Sequence, residues 1–206
     1  MNKKNLQIFA FVAFIVIAGG ALFYGLSDSS SSSTEVTSEN REAQKVHILK
    51  YSDYQCPACK SYVPAQKELE REFGDNIEIE DRHFPLSGHQ FEALAAYSAE
   101  AARNQDKYEE MHDMIFEYQE VWSAGDARNH FIDFATELGL DIEQFETDLE
   151  SEEIHQLVES QRQEGLRRQV NATPTFFING QKLQQNPQSY DQMKSIVELY
   201  MYRSNS

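Results

Sequence analysis

The sequence holds two cysteines, Cys56 and Cys59, which enclose Pro57 and Ala58. Two residues between cysteines at the predicted start of a helix are typical of a dithiol that cycles between a reduced form and a disulfide. Because the chain has no third cysteine, a structural disulfide elsewhere and a four-cysteine zinc site are both excluded. The sequence therefore predicts that any sulfur chemistry takes place at this pair.

The residues of the motif also predict which sulfur reacts. Proline is favoured at the first helical position, so Pro57 places Cys56 at the N-terminal edge of a helix and Cys59 one turn later on the same face. Unpaired amides and the helix macrodipole favour negative charge there and lower the pKa of Cys56. We expect Cys56 to be the exposed attacking thiolate and Cys59 the buried resolving thiol. Pro57 and Ala58 add no side-chain donor or positive charge, so further stabilisation must come from residues elsewhere.

A Cys-x-x-Cys pair can alternatively be half of a zinc site. The remaining ligands would then come from six histidines, none of which are paired at metal-ligand spacing: His47, His83, His89, His112, His130 and His155. Two of them, His83 and His89, flank a loop that can approach the motif. The sequence predicts neither a metal nor a cofactor.

The pair must be positioned by a strand before it and a helix after it. Residues 46–51 form a short β-rich run that ends at the turn signal Ser52-Asp53. The predicted helix continues to about Phe73, and Gly74 follows in a C-cap position. Residues 76–84 alternate between apolar and charged side chains and predict a second strand. A strand, a helix and a strand in this order imply a parallel crossover connection.

A helical block follows, and then the chain returns to β structure. Apolar residues at three- and four-residue steps predict helices within residues 91–103, 108–122, 131–138, 142–149 and 152–169. Residues 175–178 are β-branched and aromatic, and Asn179-Gly180 predicts a hairpin turn into a short partner strand. A last helix is expected at about residues 189–202. The sequence thus predicts an α/β fold with a helical insertion at about residues 88–170.

The N-terminal segment predicts the compartment. Lys3 and Lys4 precede a long uncharged stretch within residues 1–26, about the length of a membrane-spanning helix. We interpret this segment as an uncleaved membrane anchor, with a cleaved signal segment and a secreted protein as the alternative. The lysines place the N-terminus in the cytoplasm and the remainder outside. Serine-rich residues 27–44 are typical of a flexible linker, and residues 45–206 form the predicted domain.

The net charge and the cysteine content of the chain argue against some classes of function. The chain has 34 acidic and 18 basic residues and a formal net charge of −16, which argues against a nucleic-acid partner. In an exported protein, a lone Cys-x-x-Cys closes too small a loop to stabilise the fold much. A working redox pair explains it better.

A second motif lies about 115 residues after the cysteines, in the run Ala172-Thr173-Pro174-Thr175-Phe176-Phe177-Ile178-Asn179-Gly180. A proline cannot donate to a central ladder, so Pro174 belongs at the start of the strand. Together with Ser52-Asp53-Tyr54-Gln55-Cys56-Pro57-Ala58-Cys59 and Phe84-Pro85-Leu86 with His89, this run resembles the DsbA-like branch of the thioredoxin superfamily. The resemblance covers about residues 45–203.

The resemblance implies a thioredoxin-like fold with an inserted helical subdomain and an enzyme, an extracytoplasmic thiol:disulfide oxidoreductase. Thr173-Pro174 would be a cis-proline loop beside the disulfide, and the backbone before the proline would pair with an extended client. The implied partners are exported proteins with cysteines and a membrane redox partner. Two alternatives stay open, a reductase or isomerase of the same fold and a client-binding chaperone or assembly factor with an incidental dithiol.

Two positions depart from the family pattern. Relatives often carry a buried acidic residue six positions before the first cysteine, whereas this chain has Lys50 there. Lys50 is therefore a candidate for tuning the pKa of Cys56 if its side chain faces the site. Ala58 replaces the histidine of the most oxidising relatives, so the reduction potential is not predicted.

Overall fold

The computed structural model describes residues 43–203, in which a four-stranded sheet carries helices on its faces and a helical block beside it. The strands are β1 (Val46–Ser52), β2 (Ile77–His83), β3 (Thr175–Ile178) and β4 (Gln181–Lys182). The helices are α1 (Pro57–Phe73), α2 (Glu92–Arg103), α3 (Tyr108–Glu117), α4 (Gln119–Trp122), α5 (Ala127–Glu137), α6 (Ile142–Leu149), α7 (Glu152–Arg167) and α8 (Tyr190–Met201).

The sheet has the order β2-β1-β3-β4 and places β1 at its centre. β1 is parallel to β2 and antiparallel to β3, and β3 and β4 form an antiparallel hairpin. The hairpin turns at Asn179 and Gly180, whose φ angles of 47° and 78° match the type I′ turn that this dipeptide predicts. The parallel β1–β2 connection is also as predicted.

Both faces of the sheet are covered. On one face, side chains of β1, β2 and β3 pack against α1 and α8. This cluster includes Ile48, Leu69, Phe176 and Val197. On the other face, Tyr51 and Phe177 lie in edge contact, with ring centroids 5.7 Å apart. Because β1 is buried on both faces, its C-terminal end is held firmly where the cysteine motif begins.

The largest apolar cluster lies in the helical block and reaches the cysteines, since it includes Cys56, Cys59, Phe116, Trp122 and Phe131. The predicted helix across residues 108–122 is broken into α3 and α4 at Tyr118, a residue that the periodicity placed on the core face. Tyr118 is instead 41% exposed. The indole N–H of Trp122 donates to the carbonyl of Ile115 at 2.6 Å and so occupies an acceptor near the end of α3.

Among residues 43–203, no helix is long and apolar enough to cross a membrane. The predicted anchor at residues 1–26 lies outside the described residues, as does most of the predicted linker. At the linker's end, the amide of Gln44 donates to the carbonyl of Met201 at 2.9 Å. The chain is thus attached to the C-terminal end of α8 immediately before β1.

Candidate active site

The cysteine motif lies at the N-terminus of α1, as predicted. Cys56 is the N-cap residue and Pro57 occupies the first turn. The carbonyl of Cys56 accepts from the amides of Cys59 at 3.0 Å and Lys60 at 3.3 Å, which starts the helix. Cys56 is 8% exposed and Cys59 is fully buried, and neither forms a disulfide in this structure. The expectation of an exposed Cys56 is thus corrected, because the residue packs into the helical-block cluster, although it remains the more accessible of the two.

The two sulfurs differ strongly in acidity. A hydrogen bond from Cys59 is the main cause that lowers the pKa of Cys56 to about 5, and Thr173 and the amides of Cys59 and Ala58 lower it further. These amides belong to the first turn of α1 and supply the stabilisation expected of a helix N-terminus. Burial and the hydrogen bond to Cys56 raise the pKa of Cys59. At neutral pH, this arrangement holds one thiolate and one thiol.

The second motif lies directly beside the first. The Thr173–Pro174 peptide bond is cis, as the resemblance predicted. The Cys56 sulfur lies 3.4 Å from the carbonyl oxygen of Thr173 and donates to it when Cys56 is protonated. Asn186 holds this loop in place, because its side-chain amide donates to the carbonyl of Pro174 at 2.7 Å. The structure therefore brings the two motifs together across 117 residues of sequence.

Lys50 is fully buried on β1 and pairs in register with Asp81 of β2. Its ammonium lies 2.9 Å from the Asp81 carboxylate, donates to the side chain of Gln66 and lies 5.8 Å from the ring centroid of Phe116. Neither cysteine is among these contacts. Burial alone would raise the pKa of Asp81, but the charge of Lys50, aided by His112, holds it below its usual range.

His112 of α3 completes this buried polar group, with its ring 3.5 Å from the Asp81 carboxylate and in edge contact with Tyr54. Burial lowers the pKa of His112 to about 4, despite the opposing attraction of Asp81. The unfolded chain, with an ordinary value of 6.5, therefore binds a proton that the folded state rejects between these two values. The resulting stability is present above about pH 6.5 and is lost as the pH falls toward about 4.

We accordingly predict that His112→Gln reduces the acid sensitivity of folding. Between about pH 6.5 and 4.5, the variant should lose about 2 kcal/mol less than the wild type in its free energy of unfolding, measured by urea denaturation. Burial raises the pKa values of Glu70 and Glu109, so these two groups favour the folded state as the pH falls, opposite to His112. The contribution of His112 is therefore measured as the difference between the pH profiles of the wild type and the variant. Parallel pH profiles for wild type and variant would contradict the assignment.

Sequence reasoning missed the residues that fix the loop before Cys56. It recognised Asp53 only as a turn signal, yet its buried carboxylate accepts from the amide of Gln55 at 2.7 Å, the amide of Leu86 at 3.1 Å and the ring of His89 at 2.8 Å. His89 thus does approach the motif, as part of this clamp. The Asx-turn propensity of aspartate is a signal for the first contact only.

Gln119 was missed entirely. Its buried side-chain amide donates to the carbonyl of Tyr54 at 2.6 Å and to that of Cys56 at 3.1 Å, and so ties the helical block to the motif. A glutamine between Tyr118 and Glu120 carries no sequence signal for this role. Among the described residues, no cluster of three or more His, Cys, Asp or Glu side chains is suited to a metal ion.

Comparison with known families identifies the chain. The family model Thioredoxin_4, described as thioredoxin, matches residues 32–199. The chain belongs to this family. A thioredoxin-like oxidoreductase from Silicibacter pomeroyi DSS-3 superposes with a TM-score of 0.67 at 24% identity, covering 80% of this chain and 91% of that one. The thiol–disulfide exchange protein alpha-DsbA2 from Wolbachia pipientis gives 0.64 at 21% identity, covering 79% and 83%. The family match confirms the thioredoxin part of the predicted resemblance, and the superpositions show that the fold is the one found in these oxidoreductase structures.

A further likeness concerns part of a larger protein. The Na(+)/H(+) antiporter NhaA of Herminiimonas arsenicoxydans is 33% identical over 142 residues, which are 69% of this chain and 22% of the antiporter. The chain thus spans about a fifth of the length of the curated relatives that it matches. Ion transport is not carried over to this chain from a match of this extent.

Proposed function

We propose that this DsbA-like protein is an extracytoplasmic oxidoreductase that donates the Cys56–Cys59 disulfide to exported proteins with cysteines. The observation that carries the proposal is the position of Cys56 at the N-cap of α1, where Cys59 and the helix amides lower its pKa to about 5 and stabilise the reduced form of the pair. When the reduced form of such a pair is stabilised, its disulfide is an oxidant, because the free energy of the pair falls when the disulfide accepts two electrons. The positively charged N-terminus and the apolar segment after it support the extracytoplasmic location.

The reaction takes two exchange steps. A client thiolate attacks the Cys56 sulfur of the disulfide, the bond between Cys56 and Cys59 breaks, and the electron pair leaves on Cys59. A second client thiolate then attacks the client sulfur of the mixed disulfide, and Cys56 leaves as a thiolate. The client gains a disulfide and the enzyme keeps two electrons. A membrane redox partner would remove those electrons and restore the Cys56–Cys59 disulfide.

Each motif residue has a role in this scheme. Pro57 starts α1 without an amide that needs an acceptor, and the small side chain of Ala58 leaves the surface beside Cys56 open. Thr173 and Pro174 form the client-binding loop, with the Thr173 backbone beside the sulfur that carries the client. The proximity of this carbonyl to Cys56 supports strand-like pairing of an extended client at that loop.

The test is disulfide formation in a reduced peptide that carries two cysteines and a fluorophore pair that reports ring closure. Oxidised enzyme at equimolar concentration should close the peptide and lose its own disulfide. A protein that instead leaves this peptide reduced, and reduces insulin disulfides rapidly in the presence of a thiol, would be the reductase of the alternative interpretation.

A further inference from the structure

Cys59 poses a problem that the proposed function must solve. In the first exchange step the Cys59 sulfur has to leave as a thiolate, yet Cys59 is fully buried. An anion in an apolar site is costly unless donors are aimed at it. A leaving thiol of lower pKa also departs faster, so any donor at this sulfur accelerates the step.

Two donors, the hydroxyl of Ser52 and the backbone amide of Asp53, lie close enough to Cys59 to act on its ionisation. Both favour the thiolate over the thiol and therefore lower the pKa of Cys59 against the effect of burial. The Ser52 oxygen is itself buried and finds no hydrogen-bond partner within residues 43–203. A buried hydroxyl without a partner is costly, and such groups are uncommon in native structures. A negative charge on Cys59 would supply the missing acceptor.

Both donors are held in place by the surrounding fold. Ser52 ends β1 in register with His83 of β2, and its carbonyl accepts from the amide of Phe84 at 2.8 Å. Asp53 is fixed by the three hydrogen bonds to its carboxylate, two of which come from the loop after β2. Donors that need not move when charge develops stabilise the transition state more than mobile ones.

We propose that the Ser52 hydroxyl and the Asp53 backbone amide form a binding site for the Cys59 thiolate as it leaves, with Ser52 as a catalytic residue. When the client thiolate attacks Cys56 and the disulfide breaks, the electron pair that reaches the Cys59 sulfur accepts hydrogen bonds from these two donors. In the reverse direction, the same donors stabilise the Cys59 thiolate before it attacks. The inference rests on the proposed function and adds a leaving-group site to it.

The test compares Ser52→Ala with wild type in the reaction of the oxidised protein with dithiothreitol, followed by rapid quenching. The small thiol attacks Cys56, since Cys59 is fully buried. Loss of one hydrogen bond to a charged sulfur should slow the reaction about 3- to 10-fold. Alkylation of reduced Cys56 by iodoacetamide does not involve Cys59 departure and should keep its rate. Ser98→Ala, which removes another buried hydroxyl, should change neither rate.

The pair Ser52→Thr and Ser52→Val separates the hydroxyl from packing, because these side chains differ only by a hydroxyl in place of a methyl. Threonine should react within about twofold of wild type and valine should be as slow as alanine. Equal rates for threonine and valine would overturn the leaving-group site, as would a Ser52→Ala protein as fast as wild type. A wild-type disulfide that does not react with dithiothreitol would contradict the proposed function itself.

Discussion

Replacing Cys56 by serine should reduce disulfide transfer to the reduced peptide to the uncatalysed rate. A serine hydroxyl neither forms the disulfide nor ionises near neutral pH, so both exchange steps are lost. The measurement is peptide ring closure under the conditions of the wild-type assay. Full activity in Cys56→Ser would contradict the assignment of the nucleophile. A biological role that survives loss of both cysteines would favour the client-binding chaperone.

Cys59→Ser is the matched variant, because it keeps the reactive sulfur and removes the second one. Its Cys56 thiolate should attack a client disulfide and release one client thiolate, but no enzyme thiol remains to resolve the product. A mixed disulfide should therefore accumulate and be visible as a thiol-sensitive band on a non-reducing gel. If Cys59→Ser accumulates no adduct while Cys56→Ser does, the roles of the two cysteines are reversed.

Breaking the buried ion pair should have the largest effect on stability. Lys50→Ala leaves the Asp81 carboxylate without its cation between β1 and β2, and loss of one partner of a buried pair costs about 3–5 kcal/mol. Urea denaturation near neutral pH measures the change in the free energy of unfolding. Lys50→Met, which fills more of the space, should lose somewhat less than Lys50→Ala because it leaves a smaller cavity.

The double variant Lys50→Met with Asp81→Asn tests the cause. Removing both charges should restore most of the lost stability, since no uncompensated ion remains in the interior. Lys45, immediately before β1, forms an exposed pair with Glu78 of β2, so Lys45→Met is the matched control and should leave stability nearly unchanged. A Lys50→Met protein as stable as wild type would contradict the assigned role of the pair.

The elements of the fold follow closely from local sequence pattern. The cysteine helix begins at Pro57 and ends at Phe73 with Gly74 as its C-cap, as predicted, and the Asn179-Gly180 hairpin has the expected turn. These features depend on contacts within a few residues, where proline and glycine leave few conformations. Tyr118 departs from the pattern at the break between α3 and α4, where the Trp122 indole donates to the carbonyl of Ile115, a contact that apolar spacing does not encode.

The site residues within the two sequence motifs were predictable, whereas residues that contact the motifs from other helices or strands were not. Lys50 stood out as a departure from the family, but its pairing with Asp81 depends on the register of β1 against β2. Gln119 reaches Cys56 from the helical block, and no short-range signal marks it. A role for the Ser52 hydroxyl follows only from its burial near Cys59 in the folded chain. Long-range contacts of this kind require the folded chain.

The reduction potential of the Cys56–Cys59 pair tests the central claim most directly. Thioredoxin, with an attacking cysteine of pKa near 7, has a potential of about −270 mV, and DsbA, with a pKa near 3.5, about −120 mV. A Cys56 pKa of about 5 lies between them. Equilibration with glutathione should therefore give about −180 mV, the value of an oxidant. A potential near −270 mV or below would contradict the account and assign the protein to the reductases.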